Sequence, residues 1–84
     1  MPEVIVYATE TCPYCVRARR LLDTKGVEYT LIDVGRDPAL WQEMEARSGR
    51  HTVPQIFIGQ VHVGGCDDLH ALEAQGELNK LLKG

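Results

Sequence analysis

The stretch "ETCPYCVRARR", Glu10 to Arg20, decides how the chain is read. Cys12 and Cys15 are separated by Pro13 and Tyr14. Proline suits the first position of a helix, where its missing N–H would have no intrahelical partner anyway. Pro13 therefore predicts a helix opening at residue 13, with Cys12 at the N-cap. Cys15, Ala18, Leu21 and Leu22 recur at helical spacing, and Arg17, Arg19 and Arg20 fall mostly outside that stripe. The sulfur of Cys12 then faces free backbone N–H groups and the positive end of the helix dipole, which favour thiolate over thiol. Cys15 lies almost one turn further in, on the core side, and is expected to be less exposed and less ionised. One sulfur is placed to attack and the other to resolve.

The surroundings give this helix a fold. "EVIVYA" (Glu3–Ala8) is short, β-branched and aromatic, and reads as a strand. The helix runs from Pro13 to about Thr24, and Gly26 stops it as a C′ residue. "VEYTLIDV" (Val27–Val34) reads as a second strand. Asp37 caps a second helix with Pro38 at N1, running to about Ser48 with Leu40 and Met44 inward. "VPQIFIG" and "QVHVGG" read as a hairpin turning near Gly59–Gln60. "CDDLHALEAQ" and "GELNKLLK" form a terminal helix broken or kinked at Gly76. The order is β-α-β-α-β-β-α. The first β-α-β needs a right-handed crossover and a parallel pair, and the hairpin adds antiparallel strands. The expectation is an α/β chain with a central mixed four-stranded sheet flanked by helices, the layout of a thioredoxin-like fold, with residues 1–84 as one domain.

Composition narrows the function. The chain has 84 residues, 44% hydrophobic and 25% charged, within the ordinary globular range. A net charge of -3 argues against a general nucleic-acid binder. No apolar run approaches the roughly 20 residues of a membrane span. The N-terminus carries acids where a signal peptide would carry bases, so a cytoplasmic protein is expected. The charge is uneven: residues 1–25 hold four cations (Arg17, Arg19, Arg20, Lys25) against three acids (Glu3, Glu10, Asp23). The basic excess lies beside the cysteine pair.

C-x-x-C suits a zinc site, a staple or a redox pair. A structural zinc site wants four ligands. Here the remaining cysteine is Cys66, and His51, His62 and His70 show no ligand spacing, so no metal is expected. A bond across two residues restrains almost nothing in the unfolded chain, which removes the staple. Beside a βαβ unit in a cytosolic protein, the pair reads as a redox motif. Trp41 reads as partly packed surface, Cys66 as a small semi-buried residue and the histidines as solvated or structural.

"CPYC" (Cys12–Cys15), "TVPQIFI" (Thr52–Ile58) and "GGCDDL" (Gly64–Leu69) together resemble the glutaredoxins, in their dithiol class and small bacterial form. The similarity covers nearly the whole chain. It implies a glutathione-dependent thiol–disulfide oxidoreductase, with Cys12 and Cys15 catalytic and glutathione as co-substrate, no cofactor being tightly bound. By the same resemblance Tyr14, Thr52, Val53, Pro54, Gly65, Cys66 and Asp67 bind glutathione. Tyr14 would flank its sulfur. Val53, before a cis Pro54, would pair with its cysteinyl backbone, and Cys66 and Asp67 would hold its γ-glutamyl end. Pattern alone reads Pro54 as a strand start that tolerates proline, and Asp67 or Asp68 as a plain helix N-cap. The implied partners are glutathione and glutathionylated or disulfide-containing proteins, a ribonucleotide reductase among them. The chain would act as a monomer, away from nucleic acid and membrane. One departure stands out: Thr9 occupies a position where many relatives carry lysine, and Arg17 and Arg50 are the candidates to supply that charge. Two alternatives remain: a [2Fe–2S] scaffold ligated by Cys12 thiolates and glutathione, against which Pro13 and Cys15 argue, and a dedicated electron donor to one reductase, against which "TVP" and "GGCDD" argue.

Overall fold

The computed structural model describes residues 2–83. The elements are β1 (Val4–Ala8), α1 (Pro13–Thr24), β2 (Thr30–Asp33), α2 (Pro38–Ser48), β3 (Gln55–Ile58), β4 (Val61–Gly64), α3 (Cys66–Ala74) and α4 (Leu78–Lys83). They form one four-stranded sheet in the order β2-β1-β3-β4. β1 runs parallel to β2 and antiparallel to β3, and β3 and β4 make the antiparallel hairpin. This is the mixed sheet and thioredoxin-like α/β fold expected from the sequence. No helix among the described residues is long and apolar enough to cross a membrane.

The helix ends follow local chemistry. α1 closes at Gly26, whose φ of 68° is easy only for glycine. There the Gly26 N–H donates to the Asp23 carbonyl at 3.0 Å and the Val27 N–H to Leu22 at 3.1 Å, a Schellman motif. That cap explains one difference from the sequence reading. The second strand was expected to begin at Val27, but the N–H of Val27 is taken by the helix end, and pairing starts only at Thr30. Likewise β3 begins at Gln55 instead of Val53, because Pro54 has no N–H to give to a ladder. Asp37 caps α2 as expected, accepting from the Ala39 N–H at 2.9 Å. At Gly76 the terminal helix is fully broken. Gly76 and Glu77 donate back to Glu73 and Leu72, and the chain restarts as α4.

Alternation along β1 divides the core. Val4, Val6 and Ala8 face the layer built from α1 (Cys15, Ala18, Leu22), α3 (Cys66, Leu69) and α4 (Leu78, Leu82). Ile5 and Tyr7 face the other side, where Met44, Leu40 and Trp41 of α2 cover Val34 and Phe57. Met44 is the buried residue of α2, so one side chain anchors most of that helix.

A polar chain runs through this second layer. The Tyr7 hydroxyl donates to Glu43 Oε2 at 2.8 Å and accepts from Arg47 Nη1 at 3.2 Å. The Arg47 guanidinium sits 4.3 Å over the Phe57 ring. Phe57 in turn stacks on His62, with ring centroids 4.9 Å apart. His62 Nε2 is 2.7 Å from Gln55 Oε1, and the fully buried Gln55 donates through Nε2 to the Thr52 carbonyl at 3.0 Å and hydroxyl at 3.1 Å. Since Gln55 Oε1 only accepts, this geometry requires the proton on His62 Nε2.

Two predictions test this layer. Met44→Ala should lower unfolding stability by about 2–5 kcal/mol, measured by urea denaturation, because α2 has little other buried surface; a loss under about 1 kcal/mol would contradict that anchoring role. The second concerns pH. Burial, and then the Arg50 charge, lower the pKa of His62 below its ordinary 6.5. The unfolded chain then binds the proton more readily, so His62's contribution is fully present above about pH 6.5 and is lost as pH falls through the folded value. Urea midpoints taken from pH 7.5 down to 5.5 should therefore fall more steeply for the native chain than for His62→Gln. Parallel curves would sink this assignment.

Candidate active site

The sheet register brings three chain segments to one edge. Tyr7 pairs with Gln55, and Ile56 with Gly64. The end of β1, the start of β3 and the end of β4 therefore coincide, and the loops leaving them carry "TCPYC", "TVP" and "GGCDD".

Cys12 is the N-cap of α1, with extended dihedrals (φ −79°, ψ 118°), and its carbonyl accepts the first helical bond from the Val16 N–H at 3.1 Å. Its side chain makes no capping bond, so the sulfur is left at the helix mouth. It is partly exposed and lies 4.0 Å from the Val53 carbonyl. Cys15, one turn in, is fully buried against the sheet. Burial pushes its thiol up to about 11, the Thr9 groups opposing and the Cys12 sulfur adding to the rise. The asymmetry expected from Pro13 is thus present in burial. All three cysteines are free thiols.

The Val53–Pro54 peptide is cis, as the resemblance implied. Gly64 and Gly65 lead into α3. Gly64 adopts φ 112°, and a Cβ there would overlap the Asp68 carboxylate. A Cβ on Gly65 would meet the Pro54 carbonyl at 3.5 Å, an ordinary van der Waals contact, so the two loops pack side by side here. The helix N-cap is Gly65, one correction to the sequence reading, which gave that place to Asp67 or Asp68. Both aspartates lie in the first turn. Asp68 reaches back to accept from the Gly65 N–H at 2.9 Å and pairs with Arg50 at 3.1 Å. The Gly65 hydrogen bond, then the Arg50 contact and charge, hold its carboxyl below the ordinary range. Asp67 remains exposed and without such a partner among the described residues.

A cleft of about 220 Å³ opens between these loops. Tyr14, Thr52, Val53, Pro54, Gly65, Cys66 and Asp67, the seven positions singled out in the sequence, all line it. Arg50 and Asp68 line it too. The pairing of Arg50 with Asp68 across eighteen residues leaves no signal in sequence spacing. Of the two arginines considered as stand-ins for a lysine at Thr9, Arg50 lies in this cleft. Arg17 instead lines a separate cleft with Arg20 and His70. Cys66 is buried and its Sγ lies 3.5 Å from His70 Nδ1. Burial pushes its thiol up, with the Arg17 charge opposing.

Comparison with known proteins agrees with this geometry. The family model described as Glutaredoxin matches residues 4–63. A glutaredoxin of Pseudomonas aeruginosa is 54% identical over 82 residues, covering 98% of both chains. The solution structure of a glutaredoxin from Brucella melitensis superposes with a TM-score of 0.88 at 59% identity, covering 99% of this chain and 90% of that one. A buckwheat glutaredoxin solved as a glutathione complex superposes with a TM-score of 0.90 at 30% identity, covering 98% and 77%. With matching motifs along nearly its whole length, on a matching fold, the chain belongs to the glutaredoxin family of thiol–disulfide oxidoreductases.

Proposed function

We propose that residues 1–84 act as one glutathione-dependent oxidoreductase domain, which removes glutathione from mixed disulfides and reduces protein disulfides. The observation that carries this reading is that one cleft is lined by all seven positions matched to the family's glutathione site, with the Cys12 sulfur 4.0 Å from the carbonyl of one of them, Val53. The glutathione complex of the buckwheat relative supports the same ligand.

In the first reaction the Cys12 thiolate attacks the glutathione sulfur of a mixed disulfide. The S–S bond breaks, and the substrate leaves as a thiolate that takes a proton from water. Glutathione is now bound to Cys12, its cysteinyl backbone along Val53 and its α-amino acid end at α3. The free N–H groups of the first turn there receive a carboxylate, and Asp67 receives an ammonium. A second glutathione thiolate attacks, glutathione disulfide departs, and the Cys12 thiolate returns. In the second reaction Cys12 opens a protein disulfide and forms a mixed disulfide with the protein. Cys15 then attacks the Cys12 sulfur, its proton passing to the departing protein sulfur, and Cys12–Cys15 forms. Two glutathiones reduce that bond. Because burial holds Cys15 as a thiol up to about pH 11, it does not compete with Cys12 for the incoming substrate.

The reading is tested by coupling turnover of a glutathione mixed disulfide to glutathione reductase and NADPH. Cys15→Ser should keep that activity and lose most reduction of a dithiol-requiring protein disulfide, whereas Cys12→Ser should lose both. Loss of both in Cys15→Ser would overturn this division of labour. Asp67→Ala should raise the KM for glutathione roughly three- to thirtyfold, as expected for one partly solvated charge-assisted hydrogen bond, with kcat little changed. An unchanged KM would remove Asp67 from the site.

A further inference from the structure

We propose that the outer face of α1 beyond Cys12 is a docking strip for substrate proteins, selecting segments that carry an apolar residue beside the reacting cysteine and acids further along. This rests on the reading above that Cys12 exchanges with protein-borne disulfides, and adds which proteins are preferred.

The first observation is charge without a partner. Among the described residues, no ion pair within 4.0 Å involves Arg17 or Arg20, nor Lys83 at the far end of the chain; Lys25, Arg36, Arg50 and Lys80 each have an acidic partner, and Arg47 is held by the Tyr7 hydroxyl. Arg19, between them, is turned to the Tyr29 hydroxyl at 3.2 Å. Arg17 and Arg20 share a cleft of about 290 Å³ with Leu21, Thr24 and His70. Asp23 lines a neighbouring cleft with Val16, Arg19 and Arg20 without pairing to Arg20 within 4.0 Å, so three arginines against one acid leave this helix locally positive in a chain of net charge -3.

The second observation is apolar exposure at the same helix. Tyr14 is 54% exposed and Val16 40%, and these two large hydrophobic side chains flank Cys15 in the first turn. Tyr14 and Arg17 are three residues apart, and Val16 and Arg20 four, so each apolar group shares a helix face with one arginine. From Tyr14 to Thr24 the helix rises about 15 Å at 1.5 Å per residue. An extended chain covers that in about four to five residues. The order along the strip is fixed: reacting sulfur, apolar groups, then cations. A substrate segment fits it with an apolar residue next to its cysteine and acids about two to four residues away. Exposed ion pairs of this kind act mainly on encounter and choice of partner, and weaken with salt.

The test uses two S-glutathionylated peptides that differ only in carrying Asp/Glu or Lys two to four residues from the cysteine. The glutathione mixed disulfide of 2-mercaptoethanol serves as a charge-free reference. The native chain should show a kcat/KM about three- to tenfold higher for the acidic peptide at low salt. That preference should collapse in half-molar salt, shrink in Arg20→Glu and reverse in Arg17→Glu/Arg20→Glu. Turnover of the reference should be unchanged in Arg20→Glu. Equal rates for the two peptides at low salt would overturn the docking strip and leave the glutathione reading intact. No turnover of the reference by the native chain would overturn that reading instead. Should the double variant fail to fold by circular dichroism, a preference that neither Arg20→Glu nor salt reduces overturns the proposal. Equal suppression of both peptides by a single-stranded oligonucleotide, without preference between them, assigns the arginines to nucleic acid and also overturns it.

Discussion

The pairing of β1 with β3, Tyr7 opposite Gln55, is the constraint on which the rest depends. β1 lies inside the sheet and is followed by α1, so the mouth of α1 must open where β1 ends. β3 is antiparallel to β1, so it starts at that same edge, and β4, antiparallel to β3, finishes there. Three loops distant in sequence are thereby delivered to one place by hydrogen bonds that themselves do no chemistry. A two-residue slip in the Tyr7–Gln55 register would carry the Pro54 loop about 7 Å along the strand, out of reach of Cys12.

The two layers of the core serve this edge differently. On the α1 side, Cys15, Ala18 and Leu22 are small or well-fitted groups that hold the helix against β1, and burial of the second sulfur follows from that packing. Its high pKa is a consequence of the core, not of a separate device. On the α2 side, the chain from Tyr7 and Arg47 through Phe57 and His62 ends on Gln55, whose amide holds the Thr52 carbonyl and hydroxyl. A buried amide with all its partners satisfied tolerates little displacement, because any lost bond leaves an unpaired polar group in the core. The loop beside Cys12 is thus steadied from beneath by a side chain that lies outside the cleft.

Charge is distributed to match. Acids gather at the start of α3, where Asp68 is spent on the helix end and on Arg50 while Asp67 stays available. Cations gather along α1, where two arginines have no partner within the described residues. The two regions adjoin, since Arg17 and Arg20 share a cleft with His70 of α3 while Tyr14, at the start of α1, lines the cleft that holds Asp67.

The sequence alone determined much of this. Pro13 placed Cys12 at a helix mouth because the missing N–H of proline costs nothing there, and helical spacing put Cys15 inside. Asp37–Pro38, Gly26 and Gly76 marked helix ends through purely local chemistry, and the three motifs named the family. Tertiary structure decided what depends on competition or distance. Val27 could not join β2 because the end of α1 had taken its N–H. Gly65 became the N-cap because Asp68 could reach back from the first turn to its N–H. Arg50 found Asp68, and Gln55 found His62 and Thr52, only once the strands had been laid side by side. A side chain's local preference is written in its neighbours along the chain, whereas its partner across the fold is fixed by register, which no short stretch of sequence contains.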